Sequence, residues 1–191
     1  MNFTTVNNLG SEELFEHVKG IAISETPITT PHLVHKPKIM MFGKECRQNR
    51  NVGFFSDESK GYKYSNQVMK SQKLSPEFKI LLKEINTKFG TNFNGILVNA
   101  YMDGTQWIGK HRDDEKSLDK NRRAVASISY GAVRKFRIRD NEGKIVKDVP
   151  TEHGMFMMMH DDFQDKYTHE IPIEKKVKEP RWSLTFRHHT T

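Results

Sequence analysis

Beyond Gly90 the chain is a succession of strand-length segments, and they limit the fold more than any other feature. "GILVNAY" (95–101), "AVASISY" (124–130), "VRKFRIR" (133–139), "GKIVKDV" (143–149), "GMFMMMH" (154–160) and "RWSLTFRH" (181–188) alternate in polarity or are apolar throughout, with turn signals such as "DNEG" between them. Period-two alternation puts successive side chains on opposite faces of a strand, and many short strands joined by turns point to a sandwich or barrel of jelly-roll type. Two helices are predicted ahead of them. "SEELFEHVKG" opens on Ser11, sets Leu14, Phe15 and Val18 on one face and ends at Gly20. The second follows Ser75 and Pro76, carries Phe78, Leu81, Leu82, Ile85 and Phe89 at helical spacing and stops at Gly90. The expected class is α+β, mainly β, with the helices coating one outer side of a jelly roll.

A chain of 191 residues without repeat, low-complexity tract or Gly/Ser linker suits one domain. No apolar run approaches the ~20 residues of a membrane span, and "MNFTTVNNLG" lacks the basic-then-apolar pattern of a secretory signal. The one cysteine, Cys46, has no partner for an internal disulfide, which suits a reducing compartment. An intracellular protein of nucleus or cytoplasm is expected, neither secreted nor held on a membrane. The formal net charge of +7 makes a polyanion a natural partner, nucleic acid first. The stretch before about residue 35 reads as helper helix, targeting arm or flexible tail.

Within "GKHRDDE" (109–115), His111 and Asp113 are two apart, so in extended chain they share a face. Two histidines and a carboxylate on one octahedral face are how non-haem Fe(II) oxygenases hold their metal, and "YTHEIP" offers His169 as the third ligand. Alone, such a pair matches surface turns far more often than metal sites. In "RWSLTFR", Arg181, Ser183, Thr185 and Arg187 share one face while Trp182, Leu184 and Phe186 share the other. The polar face either meets water, as on a solvated edge strand, or lines a cavity that needs fixed positive charge. A dicarboxylate suits the second case, because a guanidinium grips a carboxylate at two points. Six residues of strand span ~20 Å, so both arms have to lean inward to share one small ligand.

Taken together and in this order, "NAYMDGTQWIGKHRDDE", "SISYGAVRKF", "HGMFMMM", "YTHEIP" and "RWSLTFR" resemble the AlkB family of Fe(II)/2-oxoglutarate dioxygenases, from about residue 39 to 188. The resemblance implies a double-stranded β-helix with His111, Asp113 and His169 on iron. It implies 2-oxoglutarate held by Asn99, Tyr101, Ser183, Arg181 and Arg187, Arg181 at the distal carboxylate and Arg187 toward the metal side and Asp113. Many members carry asparagine where this chain has Ser183. "MMFGKECRQNR" and "GYKYSN" are closer still to the eukaryotic-type homologues that repair duplex DNA. In that subgroup an aromatic finger fills the gap left by the flipped nucleotide. Phe42 stands at the matching place, Arg50 and Tyr62 follow at the subgroup's spacing, Tyr62 and Tyr64 would line the base pocket, and Asp114 and Glu115 would favour a cationic methylated base. The implied organisation is a single dioxygenase domain over 1–191, with a nucleotide-recognition lid at about 36–70 and a catalytic core at about 94–188. The implied activity is oxidative demethylation of 1-methyladenine and 3-methylcytosine in DNA, preferably duplex, by a monomer using Fe(II), 2-oxoglutarate and O2.

Physical chemistry supports the finger independently. Removing a base from its stack costs a few kcal/mol, and an inserted apolar wedge offsets part of that. Met41 and Phe42 before Gly43, among Lys38, Lys44, Arg47 and Arg50, combine a wedge with phosphate contacts. Lys135, Arg137 and Arg139 share one strand face and either track a phosphate backbone or keep an outer face soluble. Other readings stay open: an RNA demethylase or protein hydroxylase of the same superfamily, a binding module with a vestigial triad, or a zinc hydrolase.

Overall fold

The chain enters its fold as a strand, where the sequence left helper helix, targeting arm or flexible tail open. The computed structural model describes residues 2–190 apart from 27, 42, 65–66, 115–117, 120–122 and 161; the side chains of 41, 63, 64 and 67 also fall outside it. The first strand is β1 (Phe3–Val6), followed by helix α1 (Glu12–Lys19). Ser11 caps α1 by accepting the Leu14 N–H at 3.3 Å. Short strands β2 (Ala22–Ser24) and β3 (His32–Val34) lead to the hairpin β4 (Lys38–Met41) and β5 (Lys44–Arg47). After β6 (Asn51–Phe55) comes a second hairpin, β7 (Gly61–Tyr64) and β8 (Gln67–Lys70).

Helix α2 (Pro76–Phe89) begins as the sequence requires. Ser75 Oγ accepts the Phe78 N–H at 3.2 Å, Pro76 takes the first turn, and Gly90 ends the helix in the left-handed region at φ 63°. Asn86 then hooks the chain into the sheet, accepting the Phe93 N–H at 2.8 Å and donating to the Phe93 carbonyl at 2.9 Å. The remaining elements are β9 (Gly95–Tyr101), β10 (Ile108–His111), β11 (Val125–Gly131), β12 (Lys135–Arg139), β13 (Ile145–Pro150), β14 (Met155–Met159), α3 (Phe163–Lys166), β15 (Thr168–Ile171) and β16 (Arg181–Arg187).

Apart from the two hairpins β4–β5 and β7–β8, each a two-stranded sheet of its own, the strands form two facing sheets, as the sequence leads one to expect. The larger has the order β1-β14-β11-β16-β9-β6-β3-β2 and the smaller β10-β15-β12-β13. All pairings in the two are antiparallel except β2 with β3. Each central strand of the large sheet is covered on both sides, which is why "GILVNAY" and "MFMMM" read as almost continuously apolar. Ile96, Val98, Ala126, Ile128, Phe156, Leu184 and Phe186 face the helices and pack on Leu14, Val18, Phe78, Leu82 and Ile85. Met155, Met157, Met159 and Val125 face the small sheet and meet Phe136, Ile138, Phe163 and Ile171. This second cluster fills only part of the space between the sheets; polar residues line the rest.

Strand β1 adds to β14 as the outermost strand of the large sheet, in the register Phe3↔Met159 to Val6↔Phe156. It satisfies a row of β14 backbone groups that would otherwise stand unpaired. Phe3 also seats its ring between Phe136, at 6.1 Å, and Phe163, at 5.9 Å. Phe3→Ala is expected to lower unfolding free energy by about 2 kcal/mol, roughly half the value for a fully buried phenylalanine, as read from urea denaturation.

Candidate metal and co-substrate site

Strands β10 and β15 pair so that His111 lies opposite His169. The ladder is irregular between Ile108 and His111, and the two imidazole rings stand 4.2 Å apart at 55°. Asp113 follows the end of β10, where its backbone N–H donates to Gln164 Oε1 at 3.0 Å. The potential ligand atoms of His111, Asp113 and His169 all lie within 4.8 Å of one another. Sequence spacing supplied the first two; only the register of β10 on β15 supplies the third.

The donor set fits a divalent metal. His111 Nδ1 meets the Gly109 carbonyl at 2.8 Å, so it carries the proton and leaves the lone pair on Nε2. His169 Nε2 is 3.5 Å from Asp113 Oδ2, and that oxygen is buried with no hydrogen-bond partner among the described residues. An acceptor oxygen and two histidine nitrogens turned toward one point lack a cation rather than a proton donor. Ring packing holds His169: Phe136 stacks on it at 5.0 Å and 21°, and Phe163 lies at 6.2 Å.

Electrostatics hold His111 and Asp113 in their metal-binding forms. Burial, then the neighbouring His169, pushes His111 down to about 3, so the ring is neutral at physiological pH. Burial alone would raise the Asp113 carboxyl, but Arg187, followed by His169 and His111, holds it well below the usual carboxylate range. Arg187 Nη2 donates to Asp113 Oδ1 at 2.5 Å. Neither His111 nor Asp113 has to lose a proton before a metal binds.

The inner face of β16 continues the pocket. Arg181, Ser183, Thr185 and Arg187 all line it, with Asn99 and Tyr101 beside them on β9 in the register Arg181↔Tyr101 and Ser183↔Asn99. Arg187 is engaged by Asp113 at one end of the strand, while Arg181 stands at the other. Arg181 is 2% exposed and is aimed by two hydroxyls, Thr151 Oγ1 accepting from Nε at 3.0 Å and Ser129 Oγ from Nη2 at 2.8 Å. Burial lowers it to about 10, which still leaves it charged at neutral pH. Among the described residues it makes no ion pair with any carboxylate, so a full positive charge faces the pocket with only neutral partners.

Just ahead of β6, Arg50 is buried and donates from Nε to Asn99 Oδ1 at 2.7 Å. It is part of the pocket wall, not one of the exposed cations with which its sequence neighbours grouped it. Tyr62 is also buried, with the Arg187 guanidinium 5.1 Å from its ring centre. Asp114 is exposed, the side chain of Tyr64 lies outside the described residues, and so do Phe42 and Glu115. The stripe Lys135, Arg137 and Arg139 finds acids on its own surface: Arg137 pairs with Asp148 at 2.8 Å, Arg139 with Glu170 at 2.8 Å, and Lys135 with Glu174 at 3.7 Å. Those pairs favour an outer face kept soluble over a phosphate track.

Several contributors went unforeseen. Ser127 and Ser129 interrupt an otherwise apolar β11 at alternate positions, a pattern legible as a polar inner face. Thr151, Gln164 and Arg134 carry no such signal. Arg134 is 1% exposed and ties two loops together, donating to Glu174 Oε2 at 3.2 Å and to the carbonyls of Asp103, Gln106 and Pro172 at 3.1, 2.9 and 2.7 Å. A Cβ at Gly104 would meet the Glu174 carbonyl at 1.9 Å, so only glycine permits that approach.

Residues 4–187 match the 2OG-Fe(II) oxygenase superfamily. Human DNA oxidative demethylase ALKBH2 is 33% identical over 158 residues, which is 78% of this chain and 60% of its own. Human alpha-ketoglutarate-dependent dioxygenase alkB homolog 3 is 32% identical over 136 residues, 66% of this chain and 47% of its own. The chain thus spans 60% or less of the length of these two curated relatives. The solved structure of OsALKBH1 superposes with a TM-score of 0.65, covering 98% of both chains at 17% identity, a likeness of fold. The chain belongs to the 2OG-Fe(II) oxygenase superfamily and, within it, to the AlkB family.

Asp113→Ala is expected to weaken Mn(II) binding by more than about a hundredfold, since outer partners of a metal ligand alone are worth about 10–100-fold. Electron paramagnetic resonance titration of the free ion reads it.

Proposed function

We propose that the protein is an Fe(II)/2-oxoglutarate-dependent dioxygenase that demethylates 1-methyladenine and 3-methylcytosine in DNA, preferably in duplex, by flipping the base. The observation that carries the reading is one buried pocket with a metal triad at one end and an unneutralised guanidinium at the other. A dicarboxylate bridging those ends meets both needs, and 2-oxoglutarate is the co-substrate after which the family is named. A buried cation without its anion is costly, and the incoming carboxylate removes that cost.

In this reading His111, Asp113 and His169 hold the iron, which when bound supplies the oxidising power of dioxygen and 2-oxoglutarate. Arg181 grips the distal carboxylate, held in place by Thr151 and Ser129. Asn99, Tyr101 and Ser183 line the co-substrate, and the Ser183 hydroxyl is shorter than the asparagine amide many members carry. Arg187 keeps Asp113 ionised and turned toward the metal. The buried walls of Tyr62, Phe136 and Leu97, with half-buried Ile108, limit water at the reacting carbon. The methyl group is hydroxylated and leaves as formaldehyde, with succinate and CO2 from the co-substrate.

The two hairpins within about 36–70 form the nucleotide-recognition lid over a core of about 94–188, in a single domain acting as a monomer. Support for duplex over single strands comes from the β4–β5 hairpin, whose turn falls between Met41 and Lys44, the segment that includes Phe42. An apolar wedge carried there offsets the unstacking cost of a flipped base. Arg50, Tyr62, Tyr64, Asp114 and Glu115 complete the base-binding set, the acids favouring the positive charge of a methylated base. Within the described residues no helix is long and apolar enough to cross a membrane.

The deciding experiment gives Fe(II)-loaded protein 2-oxoglutarate, oxygen and a duplex with one 1-methyladenine, and weighs the oligonucleotide. Loss of one methyl mass, dependent on 2-oxoglutarate and absent in His111→Ala, is expected; succinate formation without mass loss moves the substrate to RNA or protein. Arg181→Met is expected to raise the Kd for 2-oxoglutarate by more than about thirtyfold, the lower bound for truncating one partner of a buried charge pair. Phe42→Ala should impair duplex substrates more than single-stranded ones, and equal loss on both would sink the wedge.

A further inference from the structure

The two histidine ligands are steadied in different ways. His111 is turned by a hydrogen bond, its Nδ1 meeting the Gly109 carbonyl at 2.8 Å. His169 has no such partner: its Nδ1 is buried and makes no hydrogen bond among the described residues. A metal-bound histidine ordinarily fixes its ring by donating from the second nitrogen. Here packing fixes it instead, with Phe136 stacked on the ring at 5.0 Å and 21° and Phe163 tilted against it at 6.2 Å and 59°.

What stands behind those two rings comes from the other end of the chain. Phe3 lies 6.1 Å from Phe136 and 5.9 Å from Phe163, so one half-buried ring backs both neighbours of His169. Phe3 is registered opposite Met159, whose Sδ accepts from Gln164 Nε2 at 3.6 Å, and Gln164 Oε1 in turn accepts the Asp113 N–H at 3.0 Å. The same strand ties down the turn into α3. The Asn2 carbonyl accepts the His160 N–H at 3.2 Å, Thr4 Oγ1 and His160 Nε2 share a hydrogen bond of 2.8 Å, and the His160 carbonyl accepts the Phe163 N–H at 2.9 Å. Helix α3 thus carries a side chain to each of two ligands, Phe163 to His169 and Gln164 to Asp113, and residues 2–4 brace it.

We propose that Phe3 is a positioning residue for His169, and that the N-terminal strand belongs to the scaffold of the metal site. The proposal rests on the reading of His111, Asp113 and His169 as metal ligands. A close-packed interior relaxes when a ring is removed. Without Phe3, Phe136 and Phe163 move toward the gap, and His169, with no hydrogen bond to hold its ring, turns with them. The coupling is reciprocal: if the docked strand tightens metal binding by some factor, bound metal tightens docking of the strand by the same factor.

The test titrates the full chain with Mn(II), read by electron paramagnetic resonance of the free ion, beside Phe3→Ala, Phe3→Leu and Leu14→Ala, with thermal melts to show that each is folded. Leu14 packs between the large sheet and the helices, on the side away from the metal, so Leu14→Ala controls for lost stability alone. Phe3→Ala is expected to raise the Kd about tenfold, the lower end of what an outer partner of a metal ligand is worth. Phe3→Leu keeps most of the volume and recovers most of that loss, while Leu14→Ala leaves the Kd within about twofold. Saturating Mn(II) is expected to slow hydrogen exchange of the β1 N–H groups about tenfold in the unaltered chain and less than about twofold in Phe3→Ala.

The proposal is overturned if Phe3→Ala binds Mn(II) as tightly as the unaltered chain despite a lowered Tm, which leaves Phe3 a packing residue only. It is equally overturned if Leu14→Ala weakens binding as much, which makes global stability the cause, or if exchange in β1 does not respond to the ion. If the unaltered chain binds no Mn(II), the metal reading fails as well, so the first titration tells the two failures apart.

Discussion

The buried ion pair of Arg187 with Asp113 joins the two sheets where the metal site has to be built. Arg187 ends β16 in the middle of the large sheet, and Asp113 follows β10 on the edge of the small one; both are 4% exposed. Such a pair is weak evidence for stability, because desolvating two charges offsets much of their attraction. Removing one partner is another matter, since the survivor is then a buried, uncompensated charge, a loss of about 3–5 kcal/mol. The pair therefore fixes the separation of the sheets at one point, and holds a carboxylate ionised between His111 and His169.

Everything else on the inner face follows from the need to satisfy polar groups in a closed space. Half of the gap between the sheets is filled by Met155, Met157, Met159, Phe136 and Ile138. The other half carries Arg181, Asn99, Arg50, Ser129 and Ser183, and there almost every donor is directed by a neutral acceptor: Thr151 and Ser129 for Arg181, Asn99 for Arg50. Neutral acceptors orient a guanidinium without cancelling its charge, which leaves the electrostatic demand for a ligand. On the opposite face, where the helices pack, no such requirement exists and the core is continuous from Leu14 to Phe186.

Strand and helix positions were legible in the sequence because burial on one or both faces imposes a short period. The segments beginning at Gly95 and Arg181 and the helix capped by Ser75 needed no tertiary information. His111 and Asp113 were legible for the same reason, being neighbours on one strand face. His169, by contrast, reaches the other two only through a cross-strand register, so the sequence could offer it as a candidate but not place it beside them. Strand β1 was missed because four residues, "FTTV", carry too little pattern, and what defines them is an open edge elsewhere in the chain. Arg50 was misjudged because charge in a basic stretch reads as surface, whereas a partner 49 residues away on β9 draws it inside. Arg134 and Thr151 could not be read at all; each joins loops that only the closed fold brings together.

One guanidinium also serves two neighbours. Arg187 donates to Asp113 and sits 5.1 Å from the ring centre of Tyr62 on β7. A cation over an aromatic face is attracted by its quadrupole, the more so when both are dry. Arg187 and Tyr62 are both buried, so the contact is of the stronger kind, and it ties β7 to the same side chain that faces Asp113.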